Sequence, residues 1–439
     1  MSESNIILSI STERDLLPKN SVDQEVRGIF LIEPPRAQVN APKPGADIIL
    51  LLDTSGSMDH KFHDSGKSKR QIVVEAAKSL VPLMNDRDTL SAISFNTTAT
   101  LMLDHERKSA NTRVMSMLDE LLNQSGTTDF EKAMQLCQIV VRNRKNPVTK
   151  VIFLTDGHPY GGDLNQALVI ASEIVREGAT LDSMGIGGDF NFDTMRQFSA
   201  FSGGVTENIV RINDTQNIFR QILKSGQDAV ATNIQLNFLF GKHVRDVKLY
   251  QTAPEKRLLN GSVTVRRDGT LVELRAGDLP MGGVKQYGMR CNVDLPDAPF
   301  VRVADLVVSY LDPVSDAVRK MDLQWNINLS DPAQGASAIL HNSFVSDVFR
   351  EVELLMDFEN ALALAKADRL PEAVKKFHGL VDHAKQLGLM EQAAEFQKAY
   401  EKLINGQNLT QEELNRMLHQ SSRASRVRKT TTTGAEKKL

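Results

Sequence analysis

Between Asp47 and about Gly226, short continuous apolar runs alternate with stretches of helical periodicity. The apolar runs are Ile48–Leu52, Thr89–Phe95, Lys150–Thr155 and Thr180–Ile186, and the helical stretches are Ser68–Met84, Thr112–Leu122, Phe130–Val141 and Leu164–Arg176. Strands alternating with helices predict a parallel sheet covered on both faces. Runs such as Ile48-Ile49-Leu50-Leu51-Leu52 have no polar side to turn to water, as strands buried on both faces require. The expectation is a doubly wound α/β domain.

The flanks carry different patterns. From Thr232 to Leu329, β-rich runs (Ile234–Phe238, Ser262–Arg266, Val301–Tyr310) are separated by Gly, Pro and Asp turns, which predicts a small β-sandwich. Ile6–Ile10 and Val26–Ile32 share that texture but precede the α/β domain. Isolated hairpins are marginal in water, so these strands should complete the later sandwich, making the α/β domain an insertion in it. From Ala336 to about Gln420 the pattern is amphipathic and helical, with Leu354, Leu355, Phe358 and Leu362 on one stripe and Pro371 placed to open a helix. The expected divisions are 1–44 (N-terminal sandwich strands), 45–226 (α/β domain), 227–332 (β-sandwich), 333–420 (α-helical bundle) and 421–439 (a basic, Thr-rich tail without apolar periodicity).

Composition narrows the picture modestly. The 439 residues exceed one ordinary domain, and a net charge of −3 gives no global bias towards nucleic acid or anionic lipid. Cys137 and Cys291, the two cysteines, fall in different segments, so neither a disulfide framework nor a zinc ribbon is expected. The N-terminus lacks a basic stretch leading into a long apolar run, and no segment has the ~20 apolar residues of a membrane span. A cytoplasmic location is the expectation.

The chemistry is concentrated at strand ends. Asp53-Thr54-Ser55-Gly56-Ser57 follows the first buried strand, and residues two apart in an extended segment point the same way, so one carboxylate and two hydroxyls aim at a single point. The run Lys150–Thr155 ends in Asp156-Gly157 and delivers a second carboxylate to the same edge, where open α/β sheets bind ligands. The loop Gly126-Thr127-Thr128-Asp129 opens the helix at Phe130 and adds hydroxyls.

These three motifs in this order resemble those of the von Willebrand factor A family, over roughly Gly45 to Gly226, with Asp88–Phe95 similar to the family's second strand. The resemblance implies a Rossmann-like fold and a metal-ion-dependent adhesion site. In it Ser55, Ser57 and Thr128 would touch the cation, and Asp53 and Asp156 would act mainly through bound water. Magnesium takes six hard oxygens and sheds water reluctantly, so a site with few charged direct ligands keeps the ion electrophilic and one position open for an Asp or Glu of a partner protein. Manganese and calcium are the alternative ions. The domain order is most similar to that of bacterial intracellular proteins of the family, which implies a scaffold or adaptor and no enzyme; a surface adhesin or matrix binder is the alternative.

Two competing readings are weaker. Ser65-Gly66-Lys67-Ser68 with the strand before Asp156 suggests a P-loop ATPase, but the first glycine of that motif is replaced by Lys61. Asp59, His60, His63 and Asp64 lack the spacing that orients metal ligands and read as a solvated loop. In the tail, Thr430, Thr431, Thr432 and Thr433 follow Arg426, Arg428 and Lys429, a context for a basophilic Ser/Thr kinase; a forkhead-associated (FHA) domain or similar phosphothreonine reader would be the partner of the modified tail. The stretch is too short for specific nucleic-acid binding.

Overall fold

A computed structural model describes residues 6–35, 43–62, 66–157, 159–188, 190–209, 211–259, 262–266, 269–331 and 341–423. The α/β domain contains β4 (Ala46–Asp53), α1 (Lys69–Leu80), β5 (Thr89–Phe95), β6 (Ala99–Arg107), α2 (Asn111–Glu120), α3 (Phe130–Arg142), β7 (Val148–Thr155), α4 (Leu164–Arg176), β8 (Ala179–Ile186), α5 (Phe192–Ala200), β9 (Thr206–Ile209) and α6 (Ile212–Gln227), following β1 (Ile7–Thr12), β2 (Leu16–Pro18) and β3 (Gln24–Glu33). Its six-stranded sheet runs β6-β5-β4-β7-β8-β9. All neighbours are parallel except β5 and β6.

Every residue of β4 is buried. Ile49 and Leu51 join Phe130, Met134 and Phe153 in the core on one face, while Ile48, Leu50 and Leu52 join Ile72, Leu80 and Phe219 in the core on the other. A strand feeding two cores by alternation is apolar on both faces along its middle, which is why the run Ile48–Leu52 reads as continuous. Sheet order reverses at β4, between β5 and β7, so the crevice of the fold opens where these strands end.

The N-terminal strands complete the sandwich, as the insertion requires. Its remaining strands are β10 (Ala229–Gly241), β11 (Val244–Ala253), β12 (Arg257–Leu258), β13 (Ser262–Arg266), β14 (Gly269–Pro280), β15 (Lys285–Val293), β16 (Phe300–Asp312) and β17 (Ala317–Ser330). One sheet is five-stranded, β1-β3-β15-β11-β12, and the other six-stranded, β13-β14-β10-β16-β17-β2. The sandwich is therefore larger than its sequence suggests. Trp325, fully buried between the sheets, donates its indole N–H to Thr12 Oγ1 at 3.2 Å and so ties β17 to β1.

The C-terminal helices are α7 (Ser343–Lys366), α8 (Leu370–Gln386), α9 (Met390–Ile404) and α10 (Gln411–Ser422), with Pro371 in the first turn of α8. Leu354, Phe358, Phe377 and Phe396 extend the α3–α5 face of the α/β core into this layer. At its other end α7 packs Phe349 on Tyr250 of the sandwich, rings 6.1 Å apart. Helix α10 returns to the α/β domain: Asn415 Nδ2 donates to the carbonyls of Gly188 (3.1 Å) and Phe190 (2.8 Å), in the loop after β8.

Candidate metal centre

Asp53 is the last residue of β4 and is buried. Its Oδ1 accepts from the amide of Ser55 at 2.8 Å, which folds the following loop back, and its Oδ2 accepts from Thr155 Oγ1 of β7 at 2.5 Å. Ser55 Oγ lies 3.1 Å from Ser57 Oγ, which in turn donates to Asp156 Oδ1 at 2.6 Å. Asp53, Ser55, Ser57 and Asp156 are thus joined in one hydrogen-bonded chain across the β4–β7 crevice, the Asp53 link running through the Ser55 amide. Burial pushes the Asp53 carboxyl up to about 6, against the bonds from Ser55 and Thr155, and the charge of Asp156 adds to the rise.

The third motif is stitched to the other two by backbone. Gly56 N donates to Gly126 O at 3.0 Å, and the amides of Tyr160 and Gly161 donate to Thr128 O at 2.9 and 3.0 Å. Thr128 is 2% exposed. Thr127 faces solvent and its hydroxyl is 3.1 Å from that of Thr97. Among the described residues no hydrogen bond joins the Thr128 hydroxyl to the other four side chains, so the structure ties the Thr128 backbone to the loop after β7 without linking its side chain to them. Asp129 caps α3, accepting from Lys132 N at 3.1 Å.

Two residues at this site escape a reading of the sequence. Lys69 and Arg70 open α1, where a Lys-Arg pair reads as solvated, yet they are 8% and 3% exposed. Lys69 Nζ donates to Asp156 Oδ2 at 2.7 Å. The Arg70 guanidinium donates to the carbonyls of Thr54 (3.1 Å), Ser55 (2.9 Å), Leu122 (3.3 Å) and Gln124, clamping the first loop to the segment before the third. The signal that could have found them is their position: both fall in the first turn of the helix that leaves the motif, where the helix dipole disfavours a cation unless an anion or carbonyls receive it.

The donor set suits a hard divalent cation. It offers carboxylates and hydroxyls and no sulfur or imidazole, and among the described residues no cluster of three or more His, Cys, Asp or Glu side chains offers a competing metal cage. His63 and Asp64 lie outside the described residues, while Asp59 and His60 are exposed. Ser68 caps α1 in a capping box with Gln71, and Lys67 pairs with Glu75 at 2.7 Å, so the segment suggestive of a P-loop serves as an ordinary helix start.

A doubly wound sheet with its polar loops at this crevice is an arrangement that the von Willebrand factor type A fold shares. Residues 48–158 match the model of the von Willebrand factor type A domain, and the α/β domain has a fold of that type. The chain is similar to the von Willebrand factor type A protein from Catenulispora acidiphila, with TM-score 0.79 and 14% identity over 97% of this chain and 99% of that one. It also resembles the ArnB paralog VWA2 from Sulfolobus acidocaldarius, with TM-score 0.59 and 15% identity over 95% and 98%. An uncharacterized protein of Synechocystis is 24% identical over 67% of this chain, and the chain spans only 64% of that relative. Domains of this type commonly bind divalent ions and mediate protein–protein contacts. Among the described residues no helix is long and apolar enough to cross a membrane.

Proposed function

We propose that the protein is a cation-dependent adaptor: the α/β domain holds a divalent ion at Asp53, Ser55, Ser57, Thr128 and Asp156 and captures an acidic side chain of a partner protein, without catalysis. One observation carries the reading. Residues 99 positions apart, Ser57 and Asp156, are in hydrogen-bond contact at the switch point of the sheet, in a chain that also takes in Ser55 and ends beside Asp53. A bound ion supplies one open coordination position, which a partner's carboxylate can fill. The chain's own residues fix the geometry: Thr155 and the Ser55 amide orient Asp53, and Arg70 holds the loop carbonyls.

Beside the site Tyr160 is 80% exposed although its amide is bonded to Thr128 O. An exposed tyrosine beside the site is of the residue type enriched among those that dominate binding energy at protein interfaces. Magnesium, with manganese or calcium as alternatives, a cytoplasmic setting and a scaffold role belong to the same proposal. Phosphorylation at Thr430–Thr433, with an FHA-type reader and a Ser/Thr kinase as further partners, rests on the sequence alone, since those residues lie outside the described residues.

The test is affinity capture from the native host in magnesium and in chelator, with D53A and D156A alongside. Partners retained in magnesium should be lost in chelator and from both variants, with circular dichroism unchanged. Capture that survives chelator and both substitutions refutes the adhesion-site reading.

A further inference from the structure

Among the described residues Lys69 is the cation that pairs directly with a carboxylate of the candidate centre. Its ammonium lies 2.7 Å from Asp156 Oδ2, with the lysine side chain 10% and the aspartate side chain 0% exposed. It stands at the start of α1, where the helix dipole repels a cation, and burial of an ammonium is tolerated only beside a compensating anion. The surroundings are shaped to admit it. Gly187, in the loop after β8, has φ +96°, and a Cβ there would lie 3.0 Å from both Cε and Nζ of Lys69. A side chain at 187 would thus press on the amine, and the loop backbone is pinned from the other side by Asn415 bonding the carbonyls of Gly188 and Phe190.

We propose that Lys69 is a tethered counter-cation that competes with the divalent ion for Asp156. The proposal rests on the adhesion-site reading and adds its regulation. In the ion-free protein the ammonium neutralises a buried carboxylate and keeps the crevice assembled. Asp156 has two oxygens, one taken by Ser57 Oγ at 2.6 Å and the other by Lys69 at 2.7 Å. Any arrangement that brings a doubly charged ion to this carboxylate places it against a like charge a few ångströms off in a poorly solvated crevice, so Lys69 must leave its bond. Ion binding therefore has a built-in threshold. Once displaced, the ammonium adds a positive charge to the rim that an acidic partner meets.

The probe is Mn2+, followed by calorimetry and by its paramagnetic resonance signal on the full chain, in wild type, K69M, K69Q, K69R and D156N. K69M and K69Q should bind Mn2+ about tenfold or more tightly than wild type, K69R should match wild type, and D156N should lose the ion. A second readout uses the unaltered protein: acylation of Lys69 by an amine-reactive ester, followed by mass spectrometry, should rise severalfold at saturating Mn2+ as the amine leaves Asp156. Equal or weaker binding by K69M and K69Q, or Lys69 labelling that Mn2+ leaves unchanged, overturns the tethered-cation proposal alone. No Mn2+ binding by any variant overturns it together with the adhesion-site reading.

Discussion

Replacing Arg70 by methionine keeps the aliphatic stem and removes the guanidinium that joins two loops of the candidate site. The bonds to Thr54 O at 3.1 Å and Ser55 O at 2.9 Å are buried, and the one to Leu122 O at 3.3 Å is longer. A hydrogen bond from a charged donor contributes about 1.5 to 3 kcal/mol, so losing the two buried ones costs about 3 to 6 kcal/mol. The ion pair to Asp59, at 3.1 Å with Asp59 54% exposed, adds less than about 1 kcal/mol. Urea unfolding monitored by circular dichroism reads the loss, and Mn2+ titration should show weaker binding, because the carbonyls that hold Ser55 in place have lost their donor. R70K keeps the charge but not the planar fork that reaches both loops, and should recover little. A loss below about 1 kcal/mol in R70M with unchanged Mn2+ affinity would refute the clamp.

Three further outcomes are expected. Burial works to raise the Glu207 carboxyl, but the hydrogen bond and charge of His419 and the charge of Arg423 outweigh it and hold it below its usual 4.5. The folded value being lowered, the docking of α10 should be fully stabilised above about pH 4.5 and lost as pH falls through the lowered value; hydrogen exchange of α10 against pH reads this, and E207Q should loosen α10 already at pH 7. G28A places a Cβ 2.7 Å from Cζ2 of the buried Trp325 and should destabilise the sandwich by about 1 to 3 kcal/mol, seen as an earlier Trp325 fluorescence transition in urea. Residues 45–226 should fold alone, whereas a chain beginning at Thr232 bares the edge of β15 that β3 covers and should aggregate; a soluble, cooperatively folding form of it would contradict the insertion.

What could be read in advance was whatever local pattern determines. The central strands β4 and β7 showed because burial on both faces makes their middles, Ile48–Leu52 and Val151–Leu154, continuously apolar, and the oxygens of Asp53, Ser55 and Ser57 showed because the spacing of an extended segment is fixed. Helix α1 ends at Leu80 instead of Met84 because Pro82 diverts the chain into a 3-10 turn. Strand β6 was not foreseen: as an edge strand it ends in the charged Asp104-His105-Glu106-Arg107, which lacks an apolar side to betray it. For Lys69 and Arg70 the sequence offers their place in the first turn of α1 but not what they touch. Whether a cation is solvated or buried depends on which distant carbonyls and carboxylates surround it, and these come from residues 54, 55, 122, 124 and 156.

The pairing of β3 with β15 sets a schedule for biosynthesis. Val26 faces Cys291 across that ladder, so β3 waits for a partner strand made some 265 residues later. At ribosomal rates of about 5 to 20 residues per second, Val26, Ile29, Phe30, Leu31 and Ile32 stay uncovered for roughly 13 to 53 s, while the α/β domain behind them is already complete. A nascent chain carrying an adhesive strand for that long has every reason to depend on a holdase, and codon or temperature changes that lengthen the interval should lower the yield of folded protein without touching the stability of the finished one.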